Sequence, residues 1–159
     1  MRRGEWAIET SSPEETRALG AALAGLLPRG SVVALRGDLA TGKTCLVSGM
    51  AEYFAQADYV HSPTFTLVNQ YGEDPALLHV DLYRLSGAEE VAELGYAELF
   101  DSEDICVIEW ADRAESLLPE VRLDIFLEHA AHDLRRIRMC NRNLLGEAWQ
   151  EELAFALEN

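Results

Sequence analysis

Two rhythms of apolar residues run along the chain. Alternation and short continuous runs read as strands, and recurrences at three and four residues read as helices. Trp6–Thr10 predicts a short strand. Ser12-Pro13-Glu14-Glu15 reads as a helix start, with Ser12 as cap, Pro13 in the first helical position and Glu15 closing a capping box. Leu19, Leu23, Leu26 and Leu27 continue that helix until Pro28 and Gly30 stop it. Ser31–Leu35 predicts a buried strand, followed by a loop and a helix over Lys43–Ala55. Strands are expected over Thr64–Tyr71 and Leu77–Leu85, and a helix over Ala88–Leu99. Ile105–Ile108 is apolar without interruption, as strands buried on both faces are. "RLDIFLE" and "LRRIRMC" alternate around "HAAHD" and predict a hairpin, and "NLLGEAWQEELAFAL" has the spacing of an amphipathic helix. Strands and helices in this order predict a three-layer α/β domain with a mixed sheet.

Composition narrows the class. A chain of 159 residues suits one domain with a real core. The hydrophobic fraction of 48% and charged fraction of 26% are those of an ordinary globular protein. A formal net charge of −15 repels phosphate backbones, which argues against tight tRNA or other nucleic-acid binding by the chain alone. "MRRGEWAIE" carries two arginines with no apolar run behind them, unlike a signal peptide. No stretch approaches the roughly 20 apolar residues that span a bilayer, so no membrane association is expected. Cys45, Cys106 and Cys140 fit neither a zinc pattern nor a disulfide framework, and reduced thiols in a cytoplasm are expected.

One stretch carries explicit chemistry. "GDLATGKT", Gly37 to Thr44, matches G-x-x-x-x-G-K-[ST] and lies between a predicted strand and a predicted helix. Gly37 and Gly42 permit backbone angles that other residues resist. The loop amides of Asp38, Leu39, Ala40 and Thr41 then point inward and cradle phosphates, and the helix N-terminus that follows, through Cys45, adds its positive end. Lys43 is the only lysine among thirteen basic side chains, the rest being arginine. A compact ammonium suits the β- and γ-phosphates where a planar fork does not. Thr44 offers a hydroxyl to Mg²⁺. Lys43 is expected to touch no core, so that its loss leaves the fold intact. The stretch makes the predicted domain, 1–159, a P-loop NTPase-like one that binds ATP with Mg²⁺.

Such a site needs an acid near the metal. Glu109 ends the apolar run Ile105–Ile108, at the carboxyl end of a buried strand where α/β sheets bind ligands. Asp81 ends Leu77–Val80 in an alternating strand. Taken alone, Glu109 has a blander reading as a solvated strand end, and His79, Asp81 and Tyr83 one as a polar sheet face.

Four segments in order, "GDLATGKT", "SPTFTLVNQY", "HVDLYRL" and "ICVIEW", resemble the TsaE (YjeE) family of bacterial ATPases, and the helix "ETRALGAALAGLL" also fits. One departure is the pair Ala40-Thr41, where the family usually has glycine-alanine. The resemblance implies an ATPase that is slow alone and stimulated by two partner proteins, TsaB and TsaD. Together they make N6-threonylcarbamoyladenosine at position 37 of ANN-decoding tRNAs. By the same resemblance Thr44 and Glu109 are metal ligands, Lys43, Asp81 and Glu109 are catalytic, with Asp81 positioning water, and Thr64 sits in a switch segment. Trp110 reads either as a core aromatic or as a neighbour of the nucleotide. Arg84 reads either as a strand-end charge or as a contact, and Arg135 and Arg136 are expected to line the base pocket. Two other classes share the P-loop, a small kinase acting on a metabolite and a nucleotide-sensing adaptor without useful turnover. The first would yield ADP with a phosphorylated acceptor, the second no product, and the ATPase ADP with inorganic phosphate.

Overall fold

A computed structural model describes residues 4–37, 42–55, 68–93 and 95–158. Its strands are β1 (Glu5–Thr10), β2 (Val32–Arg36), β3 (Val68–Tyr71), β4 (Leu77–Asp81), β5 (Ile105–Glu109), β6 (Arg122–Ala131) and β7 (Leu134–Arg142). Its helices are α1 (Pro13–Ala24), α2 (Lys43–Ala55), α3 (Ala88–Glu93) and α4 (Trp149–Glu158), with 3₁₀ segments at Tyr96–Asp101 and Ala111–Leu117. The sheet is seven-stranded in the order β1-β7-β6-β2-β5-β4-β3. β2 runs parallel to β5 and β6, and β4 parallel to β5, while the β1–β7, β6–β7 and β3–β4 pairs are antiparallel. The mixed sheet of the expected α/β fold is present.

Side-chain parity divides the strands between two cores. Val33 and Leu35 of β2, Ile105 and Val107 of β5, and Leu123 and Ile125 of β6 pack with α1, α2 and α4. Val32, Ala34, Cys106 and Ile108 pack with α3 and both 3₁₀ segments. Burial on both faces explains why β2 and β5 are apolar without interruption. Helix α1 starts as its sequence demands. Ser12 is extended and its side chain accepts from the Glu15 N–H at 3.1 Å. The Glu15 carboxylate accepts from Ser11 rather than Ser12, one residue outside the expected box. Helices α1 and α2 meet through two glycines. A methyl group at Gly49 would stand 1.9 Å from the Arg17 carbonyl oxygen, and one at Gly20 2.1 Å from that of Leu46. Only the missing side chains permit this approach.

The hairpin turn expected over "HAAHD" narrows to His132-Asp133, and four further boundaries differ from expectation. The helix expected over Ala88–Leu99 breaks, because Gly95 takes a left-handed φ of 78°, and continues as a 3₁₀ segment. β4 stops at Asp81, whose Oδ1 accepts the Tyr83 N–H at 3.0 Å and turns the chain. Helix α4 begins only at Trp149, because Asn141 Oδ1 accepts the N–H groups of Leu144 and Leu145 and holds that stretch as a loop. Helix α1 ends at Ala24, ahead of Leu26 and Leu27, whose N–H groups turn back to Leu23 and Ala24. Of the strand expected over Thr64–Tyr71, residues 64–67 lie outside the described residues. No helix among the described residues is long and apolar enough to cross a membrane.

Candidate functional site

Topology brings the candidate residues to one edge of the sheet. β2, β5 and β4 are parallel neighbours, with Leu35 opposite Glu109 and Glu109 opposite Asp81. Their carboxyl ends therefore share an edge, and the loop from β2 to α2 leaves from it. At its two ends Gly37 and Gly42 hold φ of 149° and 98°, the freedom for which glycine was expected there. Asp38, Leu39, Ala40 and Thr41 lie outside the described residues, as do Ser62, Pro63 and Thr64.

Lys43 opens α2 and is only 5% exposed. Its Nζ donates to the Gly37 carbonyl at 2.7 Å and stands 4.6 Å from the centre of the Trp110 ring. The expectation that Lys43 touches no core is thus corrected, since the side chain packs against an aromatic face. No ion pair among the described residues neutralises it. A buried ammonium held by a carbonyl and a ring is short of an anion. Thr44 is exposed on the first turn, and Cys45 is half-buried beside it.

Trp110 follows Glu109 with φ 60°. A left-handed tryptophan is strained, and strain of this kind collects at sites. The turn sets its ring between Lys43, Tyr83 at 5.0 Å between centroids, and the Arg113 guanidinium at 5.7 Å. Trp110 is partly buried against the core on the α3 side, as the core reading expects, and its ring also lies at Lys43. Arg84 is exposed in the turn after β4.

The acids are not a solvated rim. Glu109 is 7% exposed and His79 3%. His79 Nε2 lies 2.5 Å from Glu109 Oε2. With a carboxylate as acceptor, Nε2 carries the proton. Nδ1 is then buried with no hydrogen-bond partner among the described residues. Asp81 is half-buried, and that burial raises its pKa above the usual carboxylate value. The Glu109 charge adds to the rise, while the Tyr83 N–H, His79 and Lys43 oppose it. Four charged or polar groups, Lys43, His79, Asp81 and Glu109, thus act on one another at the strand edge.

The donor set suits a hard cation bound with phosphate. Thr44 supplies a hydroxyl, and Glu109 a carboxylate shielded from water. Among the described residues no three His, Cys, Asp or Glu side chains gather into a cage. Mg²⁺ is bound in this sparse way, by one or two protein oxygens plus substrate phosphates.

Two further residues separate by parity. Arg135, on the β7 face turned toward α2, lies against the loop, its Nε 4.0 Å from where a Gly42 side chain would begin. It donates to the His132 carbonyl at 2.9 Å and, with Asp133, Ser12, Thr16 and Cys45, lines a small crevice beside Gly42. Arg136 points to the opposite face and pairs with Glu9 at 3.6 Å. The two arginines therefore do not share a face, which corrects the expectation that they line one pocket together, and only Arg135 lies beside the loop glycine. Sequence reasoning gave His79 no role beyond a polar face. The signal for it was parity, which puts residues 79 and 81 on one side of β4.

Comparison with known proteins decides the family. The model for "Threonylcarbamoyl adenosine biosynthesis protein TsaE" matches residues 10–137. The chain belongs to the TsaE family. It is 38% identical over 138 residues to the tRNA threonylcarbamoyladenosine biosynthesis protein TsaE of Bacillus subtilis, covering 86% of this chain and 85% of that one. It is 40% identical over 126 residues to the protein of the same name from Treponema pallidum, covering 79% of this chain and 93% of that one. The crystal structure of Bacillus subtilis YdiB superposes with a TM-score of 0.73 at 30% identity, over 97% of this chain and 94% of that one. The TsaE match spans β2, β4 and β5 together with the loop between β2 and α2, so the sheet edge described above lies inside the family's own core.

Proposed function

We propose that this chain is a Mg²⁺-dependent ATPase that works with TsaB and TsaD in N6-threonylcarbamoyladenosine modification of position 37 of ANN-decoding tRNAs, in the cytoplasm. The observation that carries the reading is Lys43, a buried cation with no ion-pair partner among the described residues, at the sheet edge that also carries Asp81 and Glu109. The loop from Gly37 to Cys45 holds the phosphates, and the Lys43 ammonium exchanges the Gly37 carbonyl for the β- and γ-phosphate oxygens. Arg135 flanks the base end of the site. Thr44 and Glu109 hold Mg²⁺, which when bound neutralises charge on the phosphate oxygens. Asp81, ionised, accepts a hydrogen bond from the attacking water and aligns it with the γ-phosphorus. Water's oxygen bonds to phosphorus as the bond to the β–γ bridging oxygen breaks, giving ADP and inorganic phosphate.

The test is ATP turnover with and without TsaB and TsaD, read as ADP and inorganic phosphate. The expected result is slow release alone and faster release with both partners. A phosphorylated small-molecule acceptor in place of inorganic phosphate would assign the site to a kinase. Nucleotide binding with no product under either condition would leave an adaptor.

A further inference from the structure

His79 occupies an odd place. It lies on the α2 side of β4 between Leu77 and Asp81, and across from Val107 of β5. Its neighbours Leu77 and Val107 belong to the apolar core. An aliphatic side chain would fill such a position without burying polar atoms. The imidazole instead is 3% exposed and leaves Nδ1 without a hydrogen bond among the described residues, a destabilising arrangement. Its hydrogen bond is the one to Glu109 Oε2 at 2.5 Å.

We infer that His79 is a positioning residue, whose Nε2–H fixes the Glu109 carboxylate in the orientation that receives the metal. The inference rests on the reading of Glu109 as a metal ligand. A glutamate has three rotatable side-chain bonds, and a ligand that must first be ordered binds its ion more weakly. The bond engages Oε2 and not Oε1. Charge-assisted bonds of this kind are short and directional, so one of them settles the carboxylate's rotation. Direct ligation by His79 is the weaker alternative. A hard ion such as Mg²⁺ takes oxygen in preference to imidazole.

The test measures Mn²⁺, as a spectroscopic substitute for Mg²⁺, binding to the ADP-saturated protein by electron paramagnetic resonance. The proteins are the parent, His79→Leu, His79→Gln, His79→Asn, Glu109→Gln and the double variant His79→Leu/Glu109→Gln. His79→Leu is expected to weaken Mn²⁺ binding by about 10-fold, the usual effect of losing a partner of a ligand. ADP binding without metal stays at the parental level. His79→Gln, whose amide N–H reaches the place of Nε2, is expected to recover most of the affinity. His79→Asn, whose amide falls short, is expected not to. In the Glu109→Gln background the His79→Leu change adds nothing, because its effect runs through that carboxylate. Parental Mn²⁺ affinity in His79→Leu overturns the inference, and so does equal affinity in the Gln and Asn variants. Should the leucine variant not fold, the Gln and Asn pair decides. Parental affinity in Glu109→Gln would instead remove Glu109 as a ligand, a failure distinct from that of His79.

Discussion

Two buried carboxylates flank β2, one on each neighbouring strand, and they are treated in opposite ways. Asp124 of β6, opposite Ala34, is 1% exposed. It accepts from three arginines, Arg36 Nη2 at 3.1 Å, Arg122 Nε at 3.1 Å and Arg142 Nε at 2.6 Å. Arg36 and Arg122 also reach Glu115. Glu109 of β5, opposite Leu35, has among the described residues one side-chain partner, a histidine that is itself half-satisfied there. Asp124 faces the 3₁₀ segments, and Glu109 faces α2 and the loop. A buried carboxylate surrounded by guanidinium groups is complete in the folded chain and serves the fold. One with a single hydrogen-bond partner among the described residues, beside a lysine with no ion pair among them, has room for a ligand.

The sharpest way to break this contrast is at Lys43. Lys43→Ala is expected to lower ATP turnover on the order of 100- to 1,000-fold, as loss of a preorganised charge does. Because the side chain packs on Trp110, Lys43→Met is the control. It keeps the packing, loses turnover equally and melts at the parental temperature in a thermal scan. Normal turnover by either folded variant removes the P-loop reading.

Asp81→Asn comes next. It is expected to bind ADP as the parent does while hydrolysis falls about 100-fold, the loss expected when a group that aligns the water is removed. Turnover at the parental rate takes Asp81 out of the mechanism.

On the structural side, Asp124→Asn leaves three arginines around a neutral group. Urea unfolding is expected to show a loss of about 3 kcal/mol, the penalty of breaking a buried ion pair. Glu109→Gln is expected to cost far less stability. If the two losses are equal, the contrast between the carboxylates fails.

Acid sharpens it further. Burial pushes the Asp124 carboxyl up, but hydrogen bonds from Arg142, Arg122 and Arg36 outweigh that and hold it below the usual value. Its contribution to stability is then full above the unfolded pKa of about 3.9 and is lost as pH falls through the lower folded value. Unfolding curves from pH 7 downward are expected to steepen below pH ~4 in the parent. The steepening is shallower in Asp124→Asn.

The smallest expected effect is none at all. With a net charge of −15, the isolated protein is expected not to retain tRNA in a filter-binding assay at physiological salt, with or without ATP. Arg136 and Arg138 do share an open sheet face, but Arg136 faces Glu9 and Arg138 lies over Phe126. Submicromolar retention would relocate the RNA contact to this chain.

Much of the framework was legible because its signals are local. The capping residues of α1, the apolar runs of β2 and β5 and the start of α2 at Lys43 each follow from neighbouring residues. So did the placing of Asp81 and Glu109 at strand ends. What escaped depends on pairing between distant segments. The three arginines of Asp124 come from positions 36, 122 and 142, and no spacing rule joins them. His79 sits on the correct face by parity, but its bond to Glu109 depends on β4 lying next to β5. The break at Gly95 was visible as a glycine, yet a lone glycine does not reveal its φ. Arg135 and Arg136 are adjacent letters that end on opposite sides of a sheet.

The glycine contact between α1 and α2 has a mechanical consequence. With methyl-group clearances of 1.9 and 2.1 Å to facing carbonyl oxygens, the two helices have no slack between them. Sliding or rocking of α2 along α1 would drive backbone into backbone. Lys43 at the head of α2 therefore rides on a two-helix slab. The close seam thus ties the position of Lys43 to that of α1, and the pair of helices braces the loop end of α2.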